Sequence, residues 1–75
     1  GAGQIGMAIA RRIGFGKKII VGDKKLDNAK SIAKIMNEAG FDIEPIECDI
    51  SNRESILNLI KTGQKYGEIA TLINA

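Results

Sequence analysis

Three observations predict an α/β protein built on a doubly wound parallel sheet. Strand-type and helix-type patterns alternate along the chain without a gap. A glycine motif, Gly1-Ala2-Gly3-Gln4-Ile5-Gly6, stands at its start, and an acid, Asp23, closes the first strand-type run. The composition agrees: 44% of the 75 residues are apolar, enough for a core, and no low-complexity stretch suggests disorder.

Each element has its own justification. Ile5, Ala8, Ile9, Arg12 and Ile13 fall at helical spacing, so a helix is predicted over residues 5–13, ended by Gly14 and Gly16 around Phe15. Lys18 to Val21 is a short β-branched run, as a buried parallel strand requires. Leu26, Ala29, Ile32, Ala33 and Met36 form a second amphipathic stripe, and Gly40 stands where a left-handed C-cap would close that helix. Ile43 to Cys48 reads as a strand, placed at an edge by Pro45, which cannot donate to a ladder. Ser51-Asn52-Arg53-Glu54 reads as a capping box, with Ser51 as cap. The helix it opens runs to about Tyr66 with Ile56, Leu59 and Ile60 inward. Gly67 stops it, and Ala70 to Ile73 begins another strand.

Charge and cysteine content narrow the function. Eleven basic against nine acidic residues give a net charge of +2, too weak a bias to argue for nucleic acid or an anionic membrane as partner. One cysteine and no histidine exclude an internal disulfide framework and the usual zinc sites. Apolar runs such as Ile19-Ile20-Val21 are too short to span a bilayer, and no signal pattern opens the sequence, so a cytoplasmic protein is expected.

The glycine motif carries the chemistry. Glycines at 1, 3 and 6 match G-x-G-x-x-G. Gly1 would allow a tight turn, Gly3 a close approach of pyrophosphate to the backbone, and Gly6 tight packing of a following helix. Unpaired amides around Gln4 and Ile5 would face the phosphate at that helix start. Asp23 lies seventeen residues beyond Gly6, where the Rossmann-type dinucleotide fingerprint wants an acid for the ribose hydroxyls. It would also repel the 2′-phosphate of NADP; the alternative is that it caps the next helix. Lys24 and Lys25 could hold such a phosphate, but no base lies inside the glycine loop, so NAD is favoured over NADP. Asp49 ends a strand beside the expected crevice and could accept the adenine amine, with Ile50 against the ring; a helix-start anion is the other reading. Cys48 is read as a buried strand residue.

Taken together, Gly1 to Gly6, Val21-Gly22-Asp23, Cys48-Asp49-Ile50, Tyr66-Gly67 and Leu72-Ile73-Asn74-Ala75 resemble the amino-terminal half of the short-chain dehydrogenase/reductases. The resemblance implies an NAD(P)-dependent oxidoreductase that moves hydride between nicotinamide and an alcohol or carbonyl carbon. It implies that Asp49 and Ile50 contact adenine, and that Asn74 and Ala75 belong to an Asn-Asn-Ala-Gly segment lining the cofactor site, with Ala75 in place of the second Asn. It further implies a catalytic Ser and Tyr-x-x-x-Lys. Tyr66 is followed four residues later by Ala70, so no catalytic residue is assigned here. The family's usual T-G-x-x-x-G-x-G loop is one residue longer than this one. A small-molecule substrate and a homo-oligomeric whole protein are implied as well. A nucleotide-sensing module of the potassium-transport type and an S-adenosylmethionine-dependent methyltransferase are the alternatives.

The expected unit is thus a partial NAD(P)-binding Rossmann domain over residues 1–75, lacking its first strand. That strand would lie at the sheet centre, between the strands ending near Asp23 and Asn74. Two unpaired edges would then make these residues unstable alone.

Overall fold

The computed structural model describes the backbone of residues 5–74 and the side chains of residues 5–70. Four strands and two helices follow in the order β1 (Ile5–Arg12), β2 (Gly16–Asp23), α1 (Leu26–Glu38), β3 (Ile43–Glu47), α2 (Arg53–Gln64) and β4 (Glu68–Asn74). One sheet holds the strands in the order β3-β2-β1-β4. β2 and β3 pair in parallel, whereas β1 is antiparallel to both β2 and β4. Strands β2, β3 and β4 therefore all run one way, as the alternating pattern requires, and β1 alone runs against them. The sheet is mixed, and the α/β architecture is Rossmann-like.

The departure from expectation is β1. Residues 5–12 form a strand, not a helix, and fill the central place between β2 and β4 that was expected to be empty. Two physical reasons stand out. The segment also has period two: Gly6, Ala8 and Ala10 are buried, alternating with half-buried Ile5, Met7 and Ile9. A strand here also pairs the facing edges of β2 and β4, whose buried amides and carbonyls would otherwise lack partners. Gly14 and Gly16 serve a hairpin instead of a helix end. Both have positive φ, 80° and 78°, and Phe15 N–H donates to the Arg12 carbonyl at 3.2 Å.

The other elements follow the predicted patterns. α1 lays Ala29 and Ala33 on Ile19, Val21 and Ile43, with Ile5, Met7, Ile9, Ile32 and Met36 packed around them. Gly40, at φ 100°, ends it: Gly40 N–H donates to the Asn37 carbonyl and Phe41 N–H to that of Met36, the Schellman pattern. β3 is an edge strand, with Pro45 opposite Val21. α2 covers the opposite face, where Leu59 joins Ala8, Ile20 and Cys48. The fully buried Leu59 side chain alone contributes about 1.5–3 kcal/mol of transfer free energy. Gly63 lets this helix approach closely over Ala8, Ile20 and Ile69.

Candidate functional site

Because β2, β3 and β4 are parallel, their carboxyl ends meet at one edge of the sheet, and antiparallel β1 brings its amino end there too. Ile5 stands opposite Asp23, Gly6 opposite both Gly22 and Asn74, and Asp23 opposite Glu47. Cys48 N–H donates to the Asp23 carbonyl at 2.8 Å, continuing the pairing into the turn that carries Asp49 and Ile50. The predicted residues Ile5, Gly6, Asp23, Lys24, Asp49, Ile50 and Asn74 thus lie at one end of the molecule, although they are far apart in sequence. Gly1, Gly3, Gln4 and Ala75 lie outside the described residues.

Asp23 is the buried acid of this edge, only 2% exposed. Its Oδ1 accepts the Lys25 N–H at 2.8 Å, an Asx turn that leads the chain into α1. The N-cap of α1 is Lys25, with no side-chain cap bond, so Asp23 shapes the turn before the helix and does not cap it. Lys24 is exposed beside Asp23.

Asp49 is fixed by Ser51, whose hydroxyl and N–H donate to Asp49 Oδ1 at 2.6 and 3.0 Å. These two bonds hold its carboxyl below the ordinary value of 3.8; burial opposes them and the Lys24 charge assists. Asp49 is consequently an acceptor at neutral pH. It does not cap α2. Neither does Ser51: the cap is Asn52, whose Oδ1 accepts from Glu54 N–H at 2.9 Å and Ser55 N–H at 3.4 Å. The helix starts one residue later than the capping-box reading places it, and Asn ranks with the best N-caps. Ile50 packs with the α2-side cluster, its Cγ2 close to Gly6. Cys48 is buried, and burial followed by the Asp49 charge pushes its thiol pKa up, which disfavours the thiolate.

The residues fit one part of a dinucleotide. Asp23, Asp49 and Ile50 present acceptors and an apolar side chain, the chemistry an adenosine needs. The helix start expected to face the pyrophosphate is not formed, since residues 5–12 are a strand. Among the described residues no cluster of His, Cys, Asp and Glu could hold a metal ion, and no helix is long and apolar enough to cross a membrane. Sequence reasoning missed Glu47, which the parallel register sets beside Asp23; its only signal was its place at the end of a strand. Tyr66 sits at the opposite end, beyond α2, its hydroxyl donating to Glu44 Oε1.

Comparison with known proteins identifies the family. The family described as short chain dehydrogenase matches residues 1–75. A short-chain dehydrogenase/reductase, bsc3, of Alternaria brassicicola is 32% identical over 73 residues, covering 97% of this chain and 27% of its own length. A tropinone reductase-like 3 protein of Erythroxylum coca is 31% identical over 72 residues, covering 93% of this chain and 28% of its own. The chain thus spans about a quarter of the length of these relatives. No solved structure matches it significantly. The chain belongs to the short-chain dehydrogenase family.

Proposed function

We propose that this short-chain dehydrogenase chain is the dinucleotide-binding part of an NAD(P)-dependent oxidoreductase, and that NAD is its cofactor. The observation that carries the reading is the meeting of Gly6, Asp23, Asp49, Ile50 and Asn74 at one sheet edge. Asp23 accepts the adenosine ribose hydroxyls, Asp49 accepts the adenine amine, and Ile50 contacts the ring. Gly1, Gly3, Gln4, Ile5 and Gly6 border the pyrophosphate; Asn74 and Ala75 line the site. The bound dinucleotide would supply the hydride acceptor and donor. The whole protein acts on a small-molecule alcohol or carbonyl substrate and assembles as a homo-oligomer, as the family resemblance implies. Its proton-transferring residues are not among these 75.

The choice of NAD rests on Asp23. A carboxylate about 4 Å from a 2′-phosphate, at an effective dielectric near 20, is repelled by about 4 kcal/mol before screening. Even a third of that favours NAD about tenfold. Lys24, exposed beside Asp23, would offset part of that repulsion. Calorimetric titration of the chain with NAD and with NADP tests the reading. Binding of NAD at least tenfold tighter is expected, and Asp23→Asn should erase the preference. Tighter NADP binding by the native chain would refute the cofactor assignment, and absence of binding by either would refute the site.

A further inference from the structure

The end of the sheet opposite the candidate site carries an unassigned surface. The β1–β2 hairpin has the sequence Arg11-Arg12-Ile13-Gly14-Phe15-Gly16-Lys17-Lys18, with four cations and no acid. Its tip places Ile13 at 97% and Phe15 at 78% exposure, and Phe41 is half exposed nearby. Phe15 borders grooves on both sides, one toward Tyr66 and Gly67, the other toward Gly40 and Phe41. The acids facing this end are few. Asp42 is shared by Arg12 at 2.7 Å and Lys18 at 2.9 Å, Glu44 accepts from Tyr66, and Glu68, on β4, stands directly opposite Arg11. Arg11 and Lys17, both exposed, are direct cross-strand partners. Like charges so placed weaken a hairpin, and an anionic surface turns that loss into attraction.

We propose that this hairpin tip docks on an anionic lipid bilayer, with Ile13 and Phe15 entering the headgroup boundary and Arg11 and Lys17 meeting lipid phosphates and carboxylates. The tip presents two exposed apolar side chains. A protein partner would need an interface of about 1,000 Å² or more, which a point contact does not supply; a bilayer boundary accepts a small apolar tip with a basic collar. The near-neutral net charge conceals this local clustering. Docking there leaves the Asp23 edge facing water, so the inference is independent of the cofactor reading.

The chain contains no tryptophan, so Phe15→Trp makes a unique reporter. Its emission should shift to the blue with phosphatidylcholine vesicles containing phosphatidylserine, remain unchanged with phosphatidylcholine alone, and revert at high salt. In co-sedimentation of the native chain, Arg11→Gln and Lys17→Gln should each weaken binding about fivefold. Ile13→Ser should abolish it with an unchanged far-ultraviolet circular dichroism spectrum, since Ile13 packs on nothing. The proposal is overturned by equal binding to uncharged vesicles, by an Ile13→Ser chain that binds as the native one does, or by no binding at all. A blue shift without vesicles at rising protein concentration, or with soluble polyglutamate, would instead assign the tip to a second copy or to an acidic protein.

Discussion

Replacing Gly22 by alanine should destabilise the fold at the root of the candidate site. A Cβ on Gly22 would lie 2.5 Å from the Cβ of Cys48, with the Cys48 Sγ at 3.5 Å. Carbon atoms in contact prefer about 3.5–4.0 Å, so the strands must part by about 1 Å. Cys48 cannot turn aside, because the offending atom is its Cβ and its N–H is held by the Asp23 carbonyl at 2.8 Å. Overpacking of this kind costs about 1–3 kcal/mol. Urea denaturation followed by circular dichroism should show that loss at an unchanged m value, and Tm should fall about 4–8 °C per kcal/mol in a domain this small. Geometry also sets which second change rescues it. Cys48→Gly removes the clashing atom and should restore part of the loss, with a coupling of about 0.5–3 kcal/mol. Cys48→Ala keeps that atom and should not. A Gly22→Ala chain as stable as the native one, or rescue by alanine as good as by glycine, would refute the packing described between β2 and β3.

Further predictions concern the cap and the titrating groups. Asn52→Ala should cost about 1 kcal/mol by removing the acceptor for the Glu54 and Ser55 amides, whereas Ser51→Ala should leave α2 capped; thermal melts of the two separate them. Asp42 has its folded-state pKa lowered below 3.8, chiefly by the Lys18 hydrogen bond, with the Lys18 and Arg12 charges assisting and burial opposing. Its stabilisation is therefore present above the unfolded-state value and lost as pH falls through the lowered folded value, so Asp42→Asn should flatten the acid limb of stability against pH. Tyr66, the single tyrosine, is pushed above 10, first by its hydrogen bond to Glu44 and then by burial. Its contribution is present below that value and lost at higher pH, and Glu44→Gln should lower its titration in ultraviolet absorbance.

Most of the fold was legible because single residues decided it. Pro45 put β3 at an edge, Gly40 closed α1, and the alternation of patterns made β2, β3 and β4 parallel. Residues 5–12 were not legible, because they carry two periods at once. Ile5, Ala8, Ile9 and Arg12 fit a helical stripe, while Gly6, Ala8 and Ala10 fit the buried face of a strand. What decides between them is tertiary: the facing edges of β2, next along the chain, and of β4, which lies far away in sequence. The convergence of Asp23 and the turn carrying Asp49 was legible for the related reason that strand ends in a parallel sheet meet. The phosphate-facing helix start went with the misread helix. The Asn52 cap was missed because Ser51 and Asn52 are both good caps, and the preference of Ser51 for Asp49 is a matter of turn geometry.

The most direct measurement is a titration of isotopically labelled chain with NAD, read by amide chemical shifts. Saturable changes should concentrate at Ile5, Gly6, Asp23, Lys24, Asp49, Ile50 and Asn74. Changes confined to the Ile13–Phe15 hairpin and Tyr66, or no changes at saturating NAD, would contradict the assignment of a dinucleotide site to this edge of the sheet.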